Sequence, residues 1–184
     1  MSRKYLNDKW CVRCGKTEPT PYLRDHAEQL LPESNEVGGR LRLNLLDLGC
    51  GNGRNWKYLH QTYWLSSIVP IDMVDSTGTR TDHDWGCILG HDLWPVPCAS
   101  VDIVLANYVF MFLDRKERKQ VYEELDRVTC QGSRIMVELY PAKDSHAKTD
   151  TSCNRLIHEI LRGLGPHWSV LHRVKNRFIA RRQV

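Results

Sequence analysis

No uninterrupted apolar stretch in this chain approaches the ~20 residues that a bilayer span requires. The opening Met-Ser-Arg-Lys-Tyr-Leu-Asn-Asp-Lys lacks the apolar core of a secretory signal. The two absences point to a cytoplasmic protein with no membrane partner. The seven cysteines are odd in number and scattered rather than arranged as a framework, which fits reduced, partly buried thiols. Cys11 and Cys14 form a single C-x-x-C, with no second C-x-x-C or H-x3-H at finger spacing. A structural zinc needs about four ligands, so ordinary cysteines are the better reading and no metal is expected. Acidic residues are missing after Glu159, where Arg162, Arg173, Lys175, Arg177, Arg181 and Arg182 crowd the tail. A solvated edge hairpin, whose charges discourage sheet-to-sheet association, explains this more simply than a face for nucleic acid or an anionic substrate. No Ser-His-Asp or Cys-His set is recognisable.

What is present centres on Leu43 to Asn55, read as Leu-Asn-Leu-Leu-Asp-Leu-Gly-Cys-Gly-Asn-Gly-Arg-Asn. An apolar run of β character ends in Asp47. A turn with Gly49, Gly51 and Gly53 follows, and then a helix from Arg54 to Trp64. Strand, glycine turn and helix in that order place a nucleotide-like ligand at the carboxyl end of the first strand. Glycine lets the backbone adopt positive φ and lets a ligand approach the main chain at contact distance. The free N–H groups of the new helix face the same ligand. A dinucleotide fingerprint, G-x-G-x-x-G, would need glycine where Arg54 stands, which counts against a nicotinamide-dependent oxidoreductase.

At 184 residues and a net charge of +4 the chain is read as one domain, 1–184, able to bury a proper core. Residues 1–40 are polar and mixed, with Tyr5, Trp10 and Tyr22 among them, and a short helix is expected from Tyr22 to Leu31. This arm either folds over the ligand as a lid or packs on the sheet edge. The core then occupies 41–184. Trp56, Leu59, His60 and Tyr63 fall at helical spacing and are expected in the core. Ser67 to Ile71 reads as a second strand ending at Asp72, about twenty residues past the turn, where a carboxylate can accept from both hydroxyls of a ribose. Asp75 is a rival but lies beyond the apolar run. Ser76 to Asp84 has no apolar period and reads as a loop. Cys87 to Leu89 is a short third strand, and Asp92 with the Leu93 backbone N–H suits the edge of an adenine. Val101 to Ala106 is apolar enough for a central parallel strand and ends in Asn107-Tyr108. Asp114 with Glu117 forms a capping box for a helix through Val128. Gly132 ends a turn before a strand from Arg134 to Leu139. A last helix from about Cys153 to Leu164 and a hairpin of Trp168 to Arg173 with Phe178 to Arg182 close the chain.

The succession of Leu-Leu-Asp-Leu-Gly-Cys-Gly-Asn-Gly-Arg-Asn, Ile-Asp, Gly-His-Asp-Leu, Val-Asp-Ile-Val-Leu-Ala-Asn-Tyr-Val-Phe-Met-Phe-Leu and Glu-Leu-Asp-Arg-Val resembles a class I, Rossmann-like S-adenosylmethionine (SAM)-dependent methyltransferase across roughly residues 42 to 140. It is similar in particular to the small-substrate branch with tellurite-resistance and thiopurine-type enzymes. The resemblance implies an α/β fold: a three-layer α/β/α sandwich with a mostly parallel seven-stranded sheet and an antiparallel last strand. It implies that Asp47, Gly49, Gly51 and Gly53 hold the methionine part of SAM, Asp72 the ribose, and Asp92 with Leu93 the adenine. Asn107 and Tyr108 would border the methyl group. Gln131-Gly132-Ser133 departs from the usual Pro-Gly-Gly turn without touching this site. The activity implied is in-line methyl transfer to a small-molecule acceptor, which needs positioning rather than an enzyme nucleophile. No catalytic residue is assigned, Tyr108, His91, His146 and Tyr140 being candidate bases only. Asn107-Tyr108-Val109-Phe110 lacks the two prolines of the DNA amino-methyltransferase tetrad, and Cys98 precedes the strand it would have to follow for cytosine C5 chemistry. A nucleic-acid methyltransferase working through the basic tail, and a non-catalytic SAM-binding domain serving a partner, are the rival readings.

Overall fold

The computed structural model describes residues 17–31, 36–37, 40–41, 43–63, 65–72, 93–140 and 149–183. Its main sheet has six strands: β1 (Asn44–Leu48), β2 (Ser67–Ile71), β3 (Val101–Asn107), β4 (Thr129–Glu138), β5 (Trp168–Val174) and β6 (Arg177–Arg182). Their order across the sheet is β2-β1-β3-β4-β6-β5. The first four are mutually parallel, with Asp47 opposite Leu105 and Asn107 opposite Glu138. β6 runs antiparallel to both β4 and β5, pairing Glu138 with Arg177. The mostly parallel sheet with antiparallel closing pairing is as expected. The seventh strand, Cys87–Leu89, lies outside the described residues, as do Cys11, Cys14, Asp75, the loop from Ser76 to Asp84, His91, Asp92 and His146. A two-residue hairpin, Glu36–Val37 with Arg40–Leu41, precedes the sheet.

Alternation along the strands divides the core into two layers, as the two-residue period of a strand requires. Leu46, Leu48, Val104, Ala106, Ile135, Val137, Phe178 and Ala180 face the helices α3 (Arg115–Val128) and α4 (Thr149–Leu164), meeting Val121, Leu125, Val128, Ile157 and Ile160. Leu45, Ile103, Leu105, Met136 and Ile179 face the other way. There they pack on Leu59 of α2 (Arg54–Tyr63) and on Tyr22, Leu23, Ala27 and Leu30. The arrangement is thus helix on sheet on helix.

The capping box of α3 forms as its sequence dictates. Asp114 Oδ1 accepts from the Lys116 and Glu117 amides at 2.8 and 2.9 Å, while Glu117 Oε2 accepts from the Asp114 amide at 2.7 Å. In α2, Leu59 is buried, but His60 is exposed and Asn55 is buried in its stead.

Three local expectations are revised. The N-terminal helix is α1 (Pro21–His26) followed by a 3-10 turn (Ala27–Leu30) rather than one helix to Leu31. Thr20 caps it, its side chain accepting from the Leu23 amide, and Pro21 takes the first position, where a missing N–H is harmless. Gly132 does not end a turn ahead of a separate strand. It sits inside β4 at φ 87° within a register irregularity, where Ser133 Oγ donates to the Val101 carbonyl at 2.6 Å. The last helix begins at Thr149 rather than near Cys153. Among the described residues no helix is long and apolar enough to cross a membrane.

Candidate functional site at the carboxyl ends of the strands

The parallel strands β1, β3 and β4 end on one edge, and in each the last inward position on the α2 face is polar. Beyond Leu45, Leu105 and Met136 come Asp47, Asn107 and Glu138, and β6 adds Arg177 beyond Ile179. Asp47, Asn107 and Glu138 are buried. A row of polar groups therefore replaces the apolar core where the sheet stops.

The glycine turn lies against this row. Gly49, Gly51 and Gly53 adopt φ values of 67°, 55° and 76°, the left-handed region open to glycine. The amides of Gly49 and Cys50 both donate to the Ile71 carbonyl, at 2.7 and 3.2 Å, which fastens the turn to the end of β2. The Gly51 amide donates to Asp72 Oδ2 at 2.8 Å. A Cβ on Gly53 would strike the Trp56 indole at 2.4 Å, whereas one on Gly51 would meet nothing within 4 Å among the described residues. Gly51 therefore borders open space at the turn, a cradle that a side chain would fill. A Cβ on Gly49 would lie 3.0 Å from Val109, so the segment after β3 closes directly on the turn.

Tyr108, at φ 62°, is held in a conformation uncommon outside glycine. Its amide donates to the Glu138 carbonyl at 2.7 Å and its hydroxyl to Glu138 Oε2 at 3.3 Å. Its ring stacks on Tyr140 with centroids 4.5 Å apart. Strain of this kind at a strand end is kept where the surroundings over-determine it. Burial, and then the Glu138 carboxylate, push the Tyr108 phenol well above its ordinary range against the opposing pull of Arg177. Tyr108 therefore holds its proton and is a poor base. The Tyr140 carbonyl also accepts from Cys153 Sγ at 3.3 Å, and His91 and His146 lie outside the described residues.

Glu138 is 0% exposed and faces four donors from three segments: the end of β3, the residue before α1, and β6. Oε1 accepts from Asn107 Nδ2 at 2.5 Å and from the Thr20 hydroxyl. Oε2 accepts from Tyr108 and faces Arg177 Nε at 3.5 Å. Thr20 also donates its amide to Asn55 Oδ1 at 3.1 Å, tying the segment before α1 to the first turn of α2. Next to it, the Tyr22 hydroxyl and His172 Nδ1 are 3.0 Å apart, and the His26 and His172 rings lie at 4.3 Å. Burial, followed by the Glu138 carboxylate, pushes Tyr22 up to about 12, with Arg177 opposing. Burial, helped by His172, lowers His26, with Asp25 opposing.

Of the residues expected at the site, Asp47, Gly49, Gly51, Gly53, Asp72, Asn107 and Tyr108 fall on one edge of the sheet. Leu93 is 76% exposed, and Asp92 lies outside the described residues. Glu138, Thr20, Asn55 and Arg177 were not anticipated. The signal for Glu138 and Arg177 was the alternation itself, Met136 to Glu138 and Ile179 to Arg177. Cys98 is exposed beside Arg127 at 3.7 Å, on a segment leading into β3. Among the described residues no group of three or more His, Cys, Asp or Glu side chains could hold a metal ion. The basic tail is partly consumed by structure: Arg177 faces Glu138, and Arg182 pairs with Asp126 at 2.8 Å.

The family model described as a methyltransferase domain matches residues 46–137, half of the chain. No curated protein matches by sequence. Among solved structures the chain is similar in fold to a SAM-dependent methyltransferase from Aquifex aeolicus. That match has 15% identity and a TM-score of 0.59, and covers 97% of this chain and 94% of the other. It is similar also to the N-methyltransferase NodS of Bradyrhizobium japonicum, solved with S-adenosyl-L-homocysteine (13% identity, TM-score 0.60, 97% and 96% covered). A chain from the Haloferax volcanii complex containing the Trm112 methyltransferase activator matches at 13% identity and TM-score 0.61, covering 98% and 93%.

Proposed function

We propose, of a chain that belongs to the methyltransferase-domain family and is a SAM-dependent methyltransferase, that it transfers the methyl group to a small-molecule acceptor by in-line displacement. When bound, SAM supplies an electrophilic methyl group on a sulfonium sulfur. Everything else asked of the protein is binding and alignment.

The observation that carries the reading is the pairing of open space over Gly51 with a carboxylate, Asp72, already bonded to that residue's amide. In this reading Asp47 and the glycine turn hold the methionine part of the cofactor. Asp72 holds the ribose, and Asp92 with Leu93 the adenine. Asn107 and Tyr108 border the methyl group from the end of β3. A neutral Tyr108 shapes the wall and leaves the acceptor's own lone pair to do the chemistry. The whole chain acts as one methyltransferase domain, with residues 1–40 as an arm that Thr20 pins over the strand ends. We place it in the cytosol, where Cys50, Cys98, Cys130 and Cys153 stay free thiols. Arg177 and Arg182 serve the fold, which favours a small acceptor over nucleic acid bound along the tail.

Calorimetry with SAM and with S-adenosylhomocysteine tests the reading. Either ligand at a hundredfold over its Kd stabilises the protein by about 2.7 kcal/mol and raises the melting temperature, while NAD does not. Well-folded protein that takes up neither compound would end the proposal.

A further inference from the structure

Asn107 and Glu138 leave one atom at the strand ends unused. Asn107 is only 7% exposed and donates from Nδ2 to Glu138 Oε1. Every described group facing the Glu138 carboxylate is a donor there, Thr20 and Asn107 at Oε1 and Tyr108 and Arg177 at Oε2, so both oxygens serve as acceptors. The amide is therefore fixed with its nitrogen toward Glu138. Its Oδ1 is buried and meets no hydrogen-bond donor among the described residues. Leaving an acceptor in that state costs about 1–3 kcal/mol, and buried groups so left call for a partner.

Resting on the function proposed above, we infer that Asn107 Oδ1 receives an N–H of the methyl acceptor, that the acceptor is an amine, and that Glu138 is the positioning residue that fixes the amide. A hydroxyl nucleophile would need a base. Among the described residues at the strand ends, Tyr108 keeps its proton, and both oxygens of Glu138 face Asn107, Thr20, Tyr108 and Arg177. A thiol is a weak donor and would leave the carbonyl poorly satisfied. An amine binds in its neutral form, having left its proton in bulk water, and needs no base on the protein before it attacks. As its nitrogen turns positive its N–H bond to Asn107 Oδ1 strengthens, so the contact favours the transition state over the bound substrate. The amine lone pair forms the N–C bond while the S–C bond breaks and its electron pair stays on sulfur. The product leaves as an N-methylammonium ion, whose proton passes to water. Thr20, bonded to the same carboxylate and to Asn55, closes this corner.

The test compares benzylamine, benzyl alcohol and benzyl mercaptan, which share one aromatic body and differ only in the nucleophile. Two readouts are used: methyl transfer from SAM, and calorimetric binding to the protein saturated with S-adenosylhomocysteine, where no turnover occurs. Benzylamine is expected to bind and be methylated in preference to the other two. Asn107→Leu removes the oxygen. Glu138→Gln, turned by Arg177 so that its own NH2 meets Asn107, obliges the Asn107 amide to flip. Each variant lowers amine turnover roughly 100-fold and abolishes benzylamine binding and the preference for amine over alcohol. SAM affinity stays unchanged, and a cooperative melt confirms that at least one variant is folded. Preference for the alcohol or the thiol, no transfer to the amine, or variants that lose SAM instead of benzylamine would overturn the inference. Failure of the unaltered protein to bind SAM would instead count against the function on which it rests.

Discussion

The Gly51 amide donates to Asp72 Oδ2 at 2.8 Å across 21 residues of sequence. One carboxylate thus fastens the glycine turn to the end of β2, at the position proposed for the ribose. Asp72→Ala is expected to weaken SAM binding by about 10- to 100-fold, the worth of a hydrogen bond to a charged group. The fold, followed by circular dichroism, should persist. Unchanged affinity in calorimetry would remove Asp72 from the ribose.

Gly51 and Gly53 should respond in opposite ways to alanine. At Gly53 the new Cβ strikes Trp56 and the left-handed backbone is strained as well, so the expected loss is about 2–4 kcal/mol of stability. At Gly51 only the backbone term of about 1–2 kcal/mol applies, because no atom of the described residues stands in the way. If the turn holds the cofactor as proposed, the added methyl instead occupies cofactor space. Denaturant melts should rank Gly53→Ala as the less stable protein, and SAM titrations should show Gly51→Ala losing affinity while it remains folded.

Tyr22, Tyr108 and Tyr122 all have phenols raised from 10.0, burial being the largest cause in each. The folded chain then keeps protons that the unfolded chain releases above pH 10, so stability falls as pH rises. It should be fully present below pH 10 and decline as pH climbs through 10 to about 12, where Tyr22 titrates, and beyond. Melting temperatures from pH 8 to 12 check this. The Tyr122 hydroxyl is buried and has no hydrogen-bond partner among the described residues. Tyr122→Phe should therefore be neutral or stabilising at pH 7 and should flatten the alkaline decline, and a large loss at pH 7 would contradict it.

Thr20 carries four bonds: its amide to Asn55, its hydroxyl to Glu138 and, as cap of α1, its side chain and carbonyl from the Leu23 and Arg24 amides. Thr20→Val keeps the shape and removes the hydroxyl, with an expected loss of about 1–2 kcal/mol. Deleting residues 1–20 removes the amide bond as well and should impair methyl transfer while the sheet still melts cooperatively. An unaffected rate would deny the arm any part in the site.

Much of this was legible in the chain because local chemistry wrote it. A strand ending near Asp47, three glycines and a helix at Arg54 are neighbours in sequence, and the Asp114–Glu117 capping box spans one helical turn. Glu138 was obscure for the opposite reason. Its partners Thr20 and Asn107 stand 118 and 31 residues away, and nothing in Arg-Ile-Met-Val-Glu says which distant donors will converge. Asn55 was hidden by its place on α2, where periodicity favoured the aromatic residues around it. The Gln131–Ser133 segment read as a turn because glycine in a polar triplet signals one equally well outside or inside a strand.

β6 is last along the chain yet sits inside the sheet, between β4 and β5. A polypeptide still held at the ribosome with Arg177 to Arg182 in the exit tunnel would have β5 detached and Glu138 without its guanidinium. The edge of β4 would then lie open to intermolecular pairing. Maturation of the strand-end cluster therefore waits for β6, and the edge of β4 stays open from its own emergence until β6 pairs with it.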